Sequence, residues 1–182
     1  MTLPVSIVAK PSVDLPHHRI HEGNHFTVHK VTIGVPIAPP KYFLIIPPPP
    51  QADGSIIEMH LLFYIYSTDG ATLEFFENPT VTNPGTSLGT YIINNNRRSS
   101  TTSLCQVFED PAITNDGTLL FQERKGKPGI ETELGEVERD EEEMVLHQVD
   151  TYILKFVPFA AADITLELNW YDNRPSSPIP TP

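Results

Sequence analysis

The sequence has few basic residues and almost no cysteine, and both shortages exclude classes of protein. Its 182 residues contain 12 Lys and Arg against 23 Asp and Glu, so the net charge is −11. A nucleic-acid-binding protein needs a clustered basic face, and this composition therefore argues against nucleic acid as a partner. The single cysteine, Cys105, excludes an internal disulfide framework, and its strand-like surroundings predict a small core residue.

Long hydrophobic runs are missing as well. No stretch approaches the ~20 apolar residues that span a bilayer, so no membrane association is expected. Residues 1–5 do not combine a basic start with an apolar run, which argues against a signal peptide and predicts synthesis in a reducing cytoplasm. With 39% apolar residues, the chain is long enough to bury the core of one soluble globular domain.

Prolines are concentrated towards both ends of the chain. Ten of the 19 lie in residues 1–50 and four in residues 175–182. Proline is confined to edges and turns of sheets, so the central region is expected to be regular sheet. We therefore predict an extended N-terminal arm over residues 1–20, a β-sandwich domain over 21–173, and a Pro/Ser-rich C-terminal tail over 174–182.

The central region has the hydrophobic periodicity of β-strands. Ile57–Ile65 places five apolar residues on one face, and Asp163–Trp170 alternates apolar and polar residues, which predicts that Trp170 lies in the core. Thr101–Glu109 is a further predicted strand. No window shows a 3.6-residue apolar period longer than two turns. About eight or nine strands at this spacing predict an all-β fold, an antiparallel β-sandwich of jelly-roll type.

Two details of the strand arrangement are also predicted. The apolar residues of His25–Ile33 change face after Val28, which indicates a β-bulge. Thr151–Val157 and Asp163–Trp170 are joined by a short connection. This pairing predicts a terminal hairpin that lies at the centre of a sheet.

Five of the seven histidines lie between His17 and His29, four of them at a spacing that would align them on a helix. Gly23 and the β-branched residues that follow argue against that helix. On a strand, only His25 and His29 share a face. Because a metal site needs three or four converging ligands, we predict no metal site here, and we interpret His25 and His29 as candidate contacts with a neighbouring subunit.

No sequence motif points to catalysis or to the binding of a small ligand. The acidic run over residues 131–143 lacks the spacing of an EF-hand calcium loop, so it is predicted to be a solvated loop. No Gly-x-Ser-x-Gly motif, phosphate-binding loop or dinucleotide-binding loop occurs. No catalytic or cofactor-binding residue is assigned, and the protein is expected not to be an enzyme.

A polar segment at Asn94–Ser103 contains the basic pair Arg97 and Arg98. One interpretation is a surface loop that leads into a strand. The other is a contact loop in which the two arginines pair with carboxylates of a neighbouring molecule. The sequence leaves both open.

Three blocks of the sequence resemble a family of tailed-phage virion proteins that decorate or cement the capsid. His21–Val28 is similar to the His-x-Gly motif with which the family begins its first strand. Asn94–Ser100 is similar to the family's Asn-Arg-x-Ser loop. Asp150–Asp172 is similar to the closing strands, which in the family commonly end in Trp-Tyr-Glu. The resemblance covers roughly residues 21–172, and the acidic run, Pro47–Pro50 and the terminal prolines depart from it.

The resemblance implies a β-sandwich module, often a homotrimer, on the outer capsid surface of the virion. Its partners would be the major capsid protein and other copies of itself, without catalysis, cofactor or metal. Two alternatives stay open: a carbohydrate-binding or adhesin-like β-sandwich of a phage fibre or tail, and a cupin-like metalloenzyme. A sugar site would require exposed aromatic side chains that converge on a groove.

Overall fold

The computed structural model describes residues 15–127, 130–135 and 144–173. Within them, one α-helix, α1 (Leu15–Glu22), precedes fourteen β-strands, with one 3-10 turn at Gly89–Tyr91. Every strand pair is antiparallel, and the predicted all-β fold is confirmed. No helix in this part of the chain has the length and apolar character needed to cross a bilayer.

Sheet A has six strands among the described residues. They are β1 (His25–Val35), β3 (Glu58–Ser67), β7 (Ile92–Asn94), β11 (Thr132–Gly135), β12 (Met144–Leu146) and β14 (Ala162–Asn173). Their spatial order is β11-β3-β14-β1-β7, and β12 pairs with β3 on the same edge as β11. The last strand of the sheet in sequence, β14, therefore lies at its centre, between β1 and β3.

Sheet B also has six strands in the described part of the chain. They are β2 (Lys41–Ile46), β4 (Ala71–Glu77), β6 (Thr86–Ser87), β8 (Gln106–Glu109), β10 (Thr118–Lys125) and β13 (Tyr152–Pro158). Their spatial order is β10-β4-β13-β2-β8-β6. The two remaining strands, β5 (Thr80–Asn83) and β9 (Ala112–Asn115), form a separate two-stranded ribbon.

The facing sides of sheets A and B enclose one apolar core. Strand β3 shows how the sequence creates it, because its alternate residues are fully buried: Met59, Leu61, Phe63 and Ile65. Trp170 is 1% exposed and stacks on Phe26 with ring centroids 5.9 Å apart, which confirms its predicted position. Cys105 is buried in the same cluster, as expected for a small core residue.

Strands β13 and β14 belong to different sheets, so the predicted terminal hairpin is wrong. β13 pairs with β2 and β4 of sheet B, whereas β14 pairs with β1 and β3 of sheet A. The connection over residues 159–161 is long enough to cross the ~10 Å between packed sheets. Period-2 alternation identifies a strand and its buried face, but it carries no information about the pairing partner.

The bulge predicted in the first strand is misplaced. β1 pairs with β14 without a break from His25 to Thr32, and the register shift follows between Thr32 and Val35. Val31 and Ile33 therefore stay on the outer face of sheet A, where they are 53% and 80% exposed. The apolar residues change face because Val31 and Ile33 lie at the surface, and not because the strand is distorted before Thr32.

Helix α1 corrects two expectations about the N-terminal region. Residues 15–20, which were assigned to the extended arm, are helical. The histidine-rich region was expected to contain no helix, yet its first part, up to Glu22, is one. It ends at Glu22 because Gly23 has a φ of +75°, and β1 begins two residues later. Residues 1–14 of the arm and the tail over 174–182 lie outside the described residues.

Two further segments differ from expectation. The strand predicted at Thr101–Glu109 begins only at Gln106, because residues 101–105 run without regular pairing along the edge of the sandwich. The acidic run begins as strand β11 rather than as a loop, since residues 132–135 pair with β3. Residues 136–143 of the run lie outside the described residues.

The outer face of sheet B carries a second apolar cluster. Leu44, Phe76 and Ile153 point away from the main core, yet they are 1%, 9% and 0% exposed. Val81 of β5 and Ile113 of β9 pack against them, so the ribbon covers this face. The chain thus provides its own cover for the outer side of sheet B.

Candidate functional site

The three sequence blocks meet in one hydrogen-bonded cluster, which we call the asparagine junction (His25, Thr27, Asn94, Asn95 and Asn169). Strand β1 lies between β14 and β7, and this pairing places Thr27 opposite Asn169. The Asn95 loop follows β7, and its backbone N–H donates to the His25 carbonyl at 2.9 Å. Each block therefore contributes to the junction through the strand or loop that it forms.

One amide group connects the three strands of the asparagine junction. Asn95 Nδ2 donates to His25 Nδ1 at 2.6 Å and to Thr27 Oγ1 at 2.9 Å. Thr27 Oγ1 in turn donates to Asn169 Oδ1 at 2.7 Å. Because the amide donates to Nδ1, His25 carries its proton on Nε2 when neutral. The cluster fixes the loop to the sheet and the imidazole in one orientation.

Asn94 and Asn96 attach the same loop to the turn between α1 and β1. Asn94 Nδ2 donates to the Gly23 carbonyl at 2.8 Å, and Asn96 Nδ2 donates to the His21 carbonyl at 3.0 Å. A Cβ atom at Gly23 would collide with the Ser99 side chain. The glycine of the first block and the polar residues of the second therefore depend on each other sterically.

The predicted contact residues fall into two groups. Arg97 and Arg98 are exposed at the tip of the loop, and His29 is exposed on the outer face of β1. Their role as subunit or capsid contacts stays a prediction. His25 is different, because it is 3% exposed and held by Asn95. Little of its imidazole is left exposed in the isolated chain, and the contact role of His25 stays a prediction.

Histidine and cysteine side chains do not converge in the described residues. No group of three His, Cys, Asp or Glu side chains suited to a metal ion occurs within them. Burial, and to a lesser degree the charge of Asp172, raises the pKa of the Cys105 thiol well above its usual value. The thiol is therefore protonated at neutral pH and is a poor nucleophile or metal ligand.

Ionisable side chains on sheet B pair with one another. Lys155 Nζ lies 3.2 Å from Glu74 Oε2 and 2.7 Å from Asp116 Oδ2. Burial lowers the pKa of Lys155, but these hydrogen bonds outweigh it, and the pKa is raised. Burial also raises the pKa of Tyr152 to about 12, and its hydroxyl donates to Glu77 at 3.1 Å. These contacts tie β4 and β13 of sheet B and the adjoining turn together.

A groove of about 420 Å³ crosses the outer face of sheet A, far from α1. We call it the sheet A groove (Val31, Tyr66, Glu131, Asp163 and Thr165). Pairing across β1, β14 and β3 places Val31, Thr165 and Tyr66 in one row. Tyr66 is 45% exposed, and Glu131 and Asp163 are exposed at the rim. The sequence did not lead to a prediction of this groove. Its one signal was the position of Val31, an apolar residue on the face of β1 opposite to Phe26 and Val28.

A second groove, of about 440 Å³, opens at the edge of the sandwich between β7 and β8. Hydroxyl side chains of residues 99–103 line one side, and Phe26 and Cys105 form part of its apolar base. Ser103 Oγ accepts a hydrogen bond from Trp170 Nε1 at 3.3 Å. This segment therefore closes the edge of the core where β8 is too short to do so.

Comparisons with protein-family models, with curated proteins and with solved structures found no match for this chain.

Proposed function

We propose that this chain is a structural protein of a tailed-phage virion that binds the outer capsid surface and stabilises it, as a decoration or cement protein without catalytic activity. The asparagine junction is the observation that carries the proposal. The three blocks that resemble the decoration family lie far apart in sequence, yet Thr27 of the first block bonds to both Asn95 and Asn169 of the other two. Three short motifs that contribute to one hydrogen-bonded cluster support the resemblance more strongly than three motifs that lie apart in the structure.

The strand order supports a jelly-roll interpretation. Strands β1 to β4 alternate between the two sheets, and β13 and β14 insert between them. The two halves, β11-β3-β14-β1 and β10-β4-β13-β2, have the order expected of two Greek keys wrapped into a sandwich. Viral capsid proteins and lectins both use this fold, so the fold favours the class of protein without selecting its function.

Charge supports a position outside the shell. A protein with a net charge of −11 would be repelled by packaged DNA, so the outer surface and the major capsid protein are the proposed site and partner. Arg97 and Arg98 project from the loop that the asparagine junction holds in place, and they are available to pair with capsid carboxylates. The homotrimer that the resemblance implies is part of this proposal.

The test is to heat capsids with and without the protein and to follow genome release. Ligand binding stabilises the shell by RT ln(1 + [L]/Kd), about 2.7 kcal/mol per site at 100 times Kd, so the release temperature should rise. A release temperature that is unchanged at saturation would remove the cement role.

A matched pair of variants tests the contact loop. Arg97→Ala/Arg98→Ala should weaken capsid binding, because it removes both exposed guanidinium groups of the loop. Arg124→Ala/Lys125→Ala removes two positive charges from β10 at the opposite sheet, so it controls for net charge. Equal losses of capsid affinity in the two variants would argue against the loop as a contact.

A carbohydrate-binding module of a fibre or tail is the second candidate. Tyr66 favours it, because this exposed aromatic side chain lies in a groove beside the carboxylate of Asp163. A glycan array would measure the binding. Loss of a glycan signal in Tyr66→Ala, with no binding to capsids, would favour this function over decoration.

A further inference from the structure

Exposed apolar side chains cluster at one end of the outer face of sheet A. Val31, Ile33 and Tyr66 are 53%, 80% and 45% exposed, and they lie in or beside the sheet A groove. Ile130, next to the rim, is 53% exposed. Single exposed apolar residues are common on soluble proteins, but neighbours that flank one groove mark a contact surface.

The same chain shows what covers the equivalent surface of sheet B. There, the β5–β9 ribbon buries Leu44 and Ile153 with two aliphatic side chains, Val81 and Ile113. Within residues 15–127, 130–135 and 144–173, no strand or helix does this for Val31 and Ile33. The sheet A groove is suited to an extended segment that presents alternate aliphatic side chains.

We propose that the sheet A groove binds residues 3–9 of the N-terminal arm of a neighbouring copy, an inference that rests on the proposed homotrimer. In extended conformation, Leu3, Val5 and Ile7 share one face of this segment. Lys10 is the only charged side chain in residues 1–13. The arm therefore carries an aliphatic face and a positive charge to an apolar groove.

Charge at the rim complements the arm. The exposed carboxyl side chains of Glu131 and Asp163 both belong to the lining of the groove. Lys10 follows directly after the aliphatic segment, within reach of this rim once Val5 and Ile7 are seated. Complementary charge of this kind selects the partner and its direction more than it adds affinity.

The length of the arm permits the contact. Residues 1–14 precede the described chain and span at most ~46 Å when extended. The groove lies about 20 Å along β1 from His25, near which α1 ends. By length alone, the arm of the same chain could also reach the groove. The proposed homotrimer favours the arm of a neighbouring copy, and occupation by the chain's own arm is the opposing outcome of the test.

Disulfide cross-linking of the full chain tests the proposal. Val5→Cys combined with Val31→Cys should give covalent dimers and trimers on a non-reducing gel after mild oxidation. Cys105 is buried and does not interfere. Val5→Cys with Val149→Cys is the matched control, because Val149 is 65% exposed but lies outside the groove. Proximity should raise the yield of inter-chain product about tenfold over this control.

A synthetic peptide of residues 1–14 provides a second measurement. Added in excess before oxidation, it should compete for the groove and suppress the inter-chain product of Val5→Cys/Val31→Cys. Disulfides found only within single chains, yields equal to those of the Val149 control, or insensitivity to the peptide would each overturn the proposal.

Capsid heating separates this inference from the proposed function. A protein that raises the temperature of genome release but forms no Val5–Val31 cross-link keeps its role on the capsid and loses the arm contact. A protein that cross-links between chains but leaves capsids unchanged keeps the arm contact and loses the cement role.

Discussion

The outer faces of the two sheets differ in what covers them. On sheet B, Ile153 is fully buried under the β5–β9 ribbon, whereas on sheet A Ile33 is 80% exposed. Both faces carry aliphatic side chains, so the difference lies in the topology and not in the composition of the strands. A sheet face that the chain itself covers contributes to stability. A similar face left open is available for assembly.

The largest loss of stability is expected from a substitution in the core, which lies between the inner faces of the two sheets. Trp170→Ala should lower the free energy of unfolding by about 3–5 kcal/mol, because it leaves a large cavity beside Phe26. Chemical denaturation followed by circular dichroism measures the loss. Tryptophan fluorescence of the native protein is the control, and an emission spectrum typical of indole in water would contradict the assignment to the core.

A matched pair of alanine variants tests the comparison directly. Ile153→Ala should cost about 2–5 kcal/mol, because the ribbon cannot collapse fully into the space. Val31→Ala should change the stability of the isolated chain by less than about 0.5 kcal/mol, since its side chain is largely exposed. Equal losses in chemical denaturation would show that the two faces are covered alike.

The asparagine junction should contribute less than the covered face of sheet B. Asn95→Ala should cost about 1–3 kcal/mol, because His25 and Thr27 lose the amide that bonds to them away from solvent. Thermal unfolding measures this change. Asn115→Ala, at an exposed turn of the ribbon, serves as the comparison, and an equally large effect there would remove any special role of the junction.

Removal of the arm should have the smallest effect on the isolated fold and a clear effect on assembly. Deleting residues 1–14 should dissociate the proposed homotrimer and weaken the proposed capsid binding, because it takes away the proposed cover of the sheet A groove. Deleting residues 175–182 should change both much less. Light scattering at micromolar concentration and neutral pH reports the mass, and a monomer for the full chain would contradict the trimer.

Strands with a clear period of two could be predicted from the sequence. β3 and β14 lie where the sequence places them, and Trp170 is buried, because alternation directly encodes which face meets the core. The ribbon was missed because Thr80–Asn83 and Ala112–Asn115 are short and mostly polar. Their role depends on the apolar surface beneath them, which exists only after sheet B has formed.

The candidate sites were predictable only in part. The exposure of Arg97 and Arg98 follows from their polar surroundings, and the structure agrees. The asparagine junction could not be derived, because it requires Asn95 and Asn169 to meet through strand pairing over long separations. The sheet A groove was hidden by an assumption, namely that Val31 must face the core because it is apolar.

The position of β14 at the centre of sheet A has a consequence for biosynthesis. β1 is the first strand of this sheet to leave the ribosome, and β14, its partner from His25 to Val35, is the last of the sheet's described strands. Sheet A can therefore close only after the whole of β14 has been made, and such long-range pairing slows folding. Until then, the nascent chain exposes unpaired strand edges, so its yield should depend on chaperones and on the rate of synthesis.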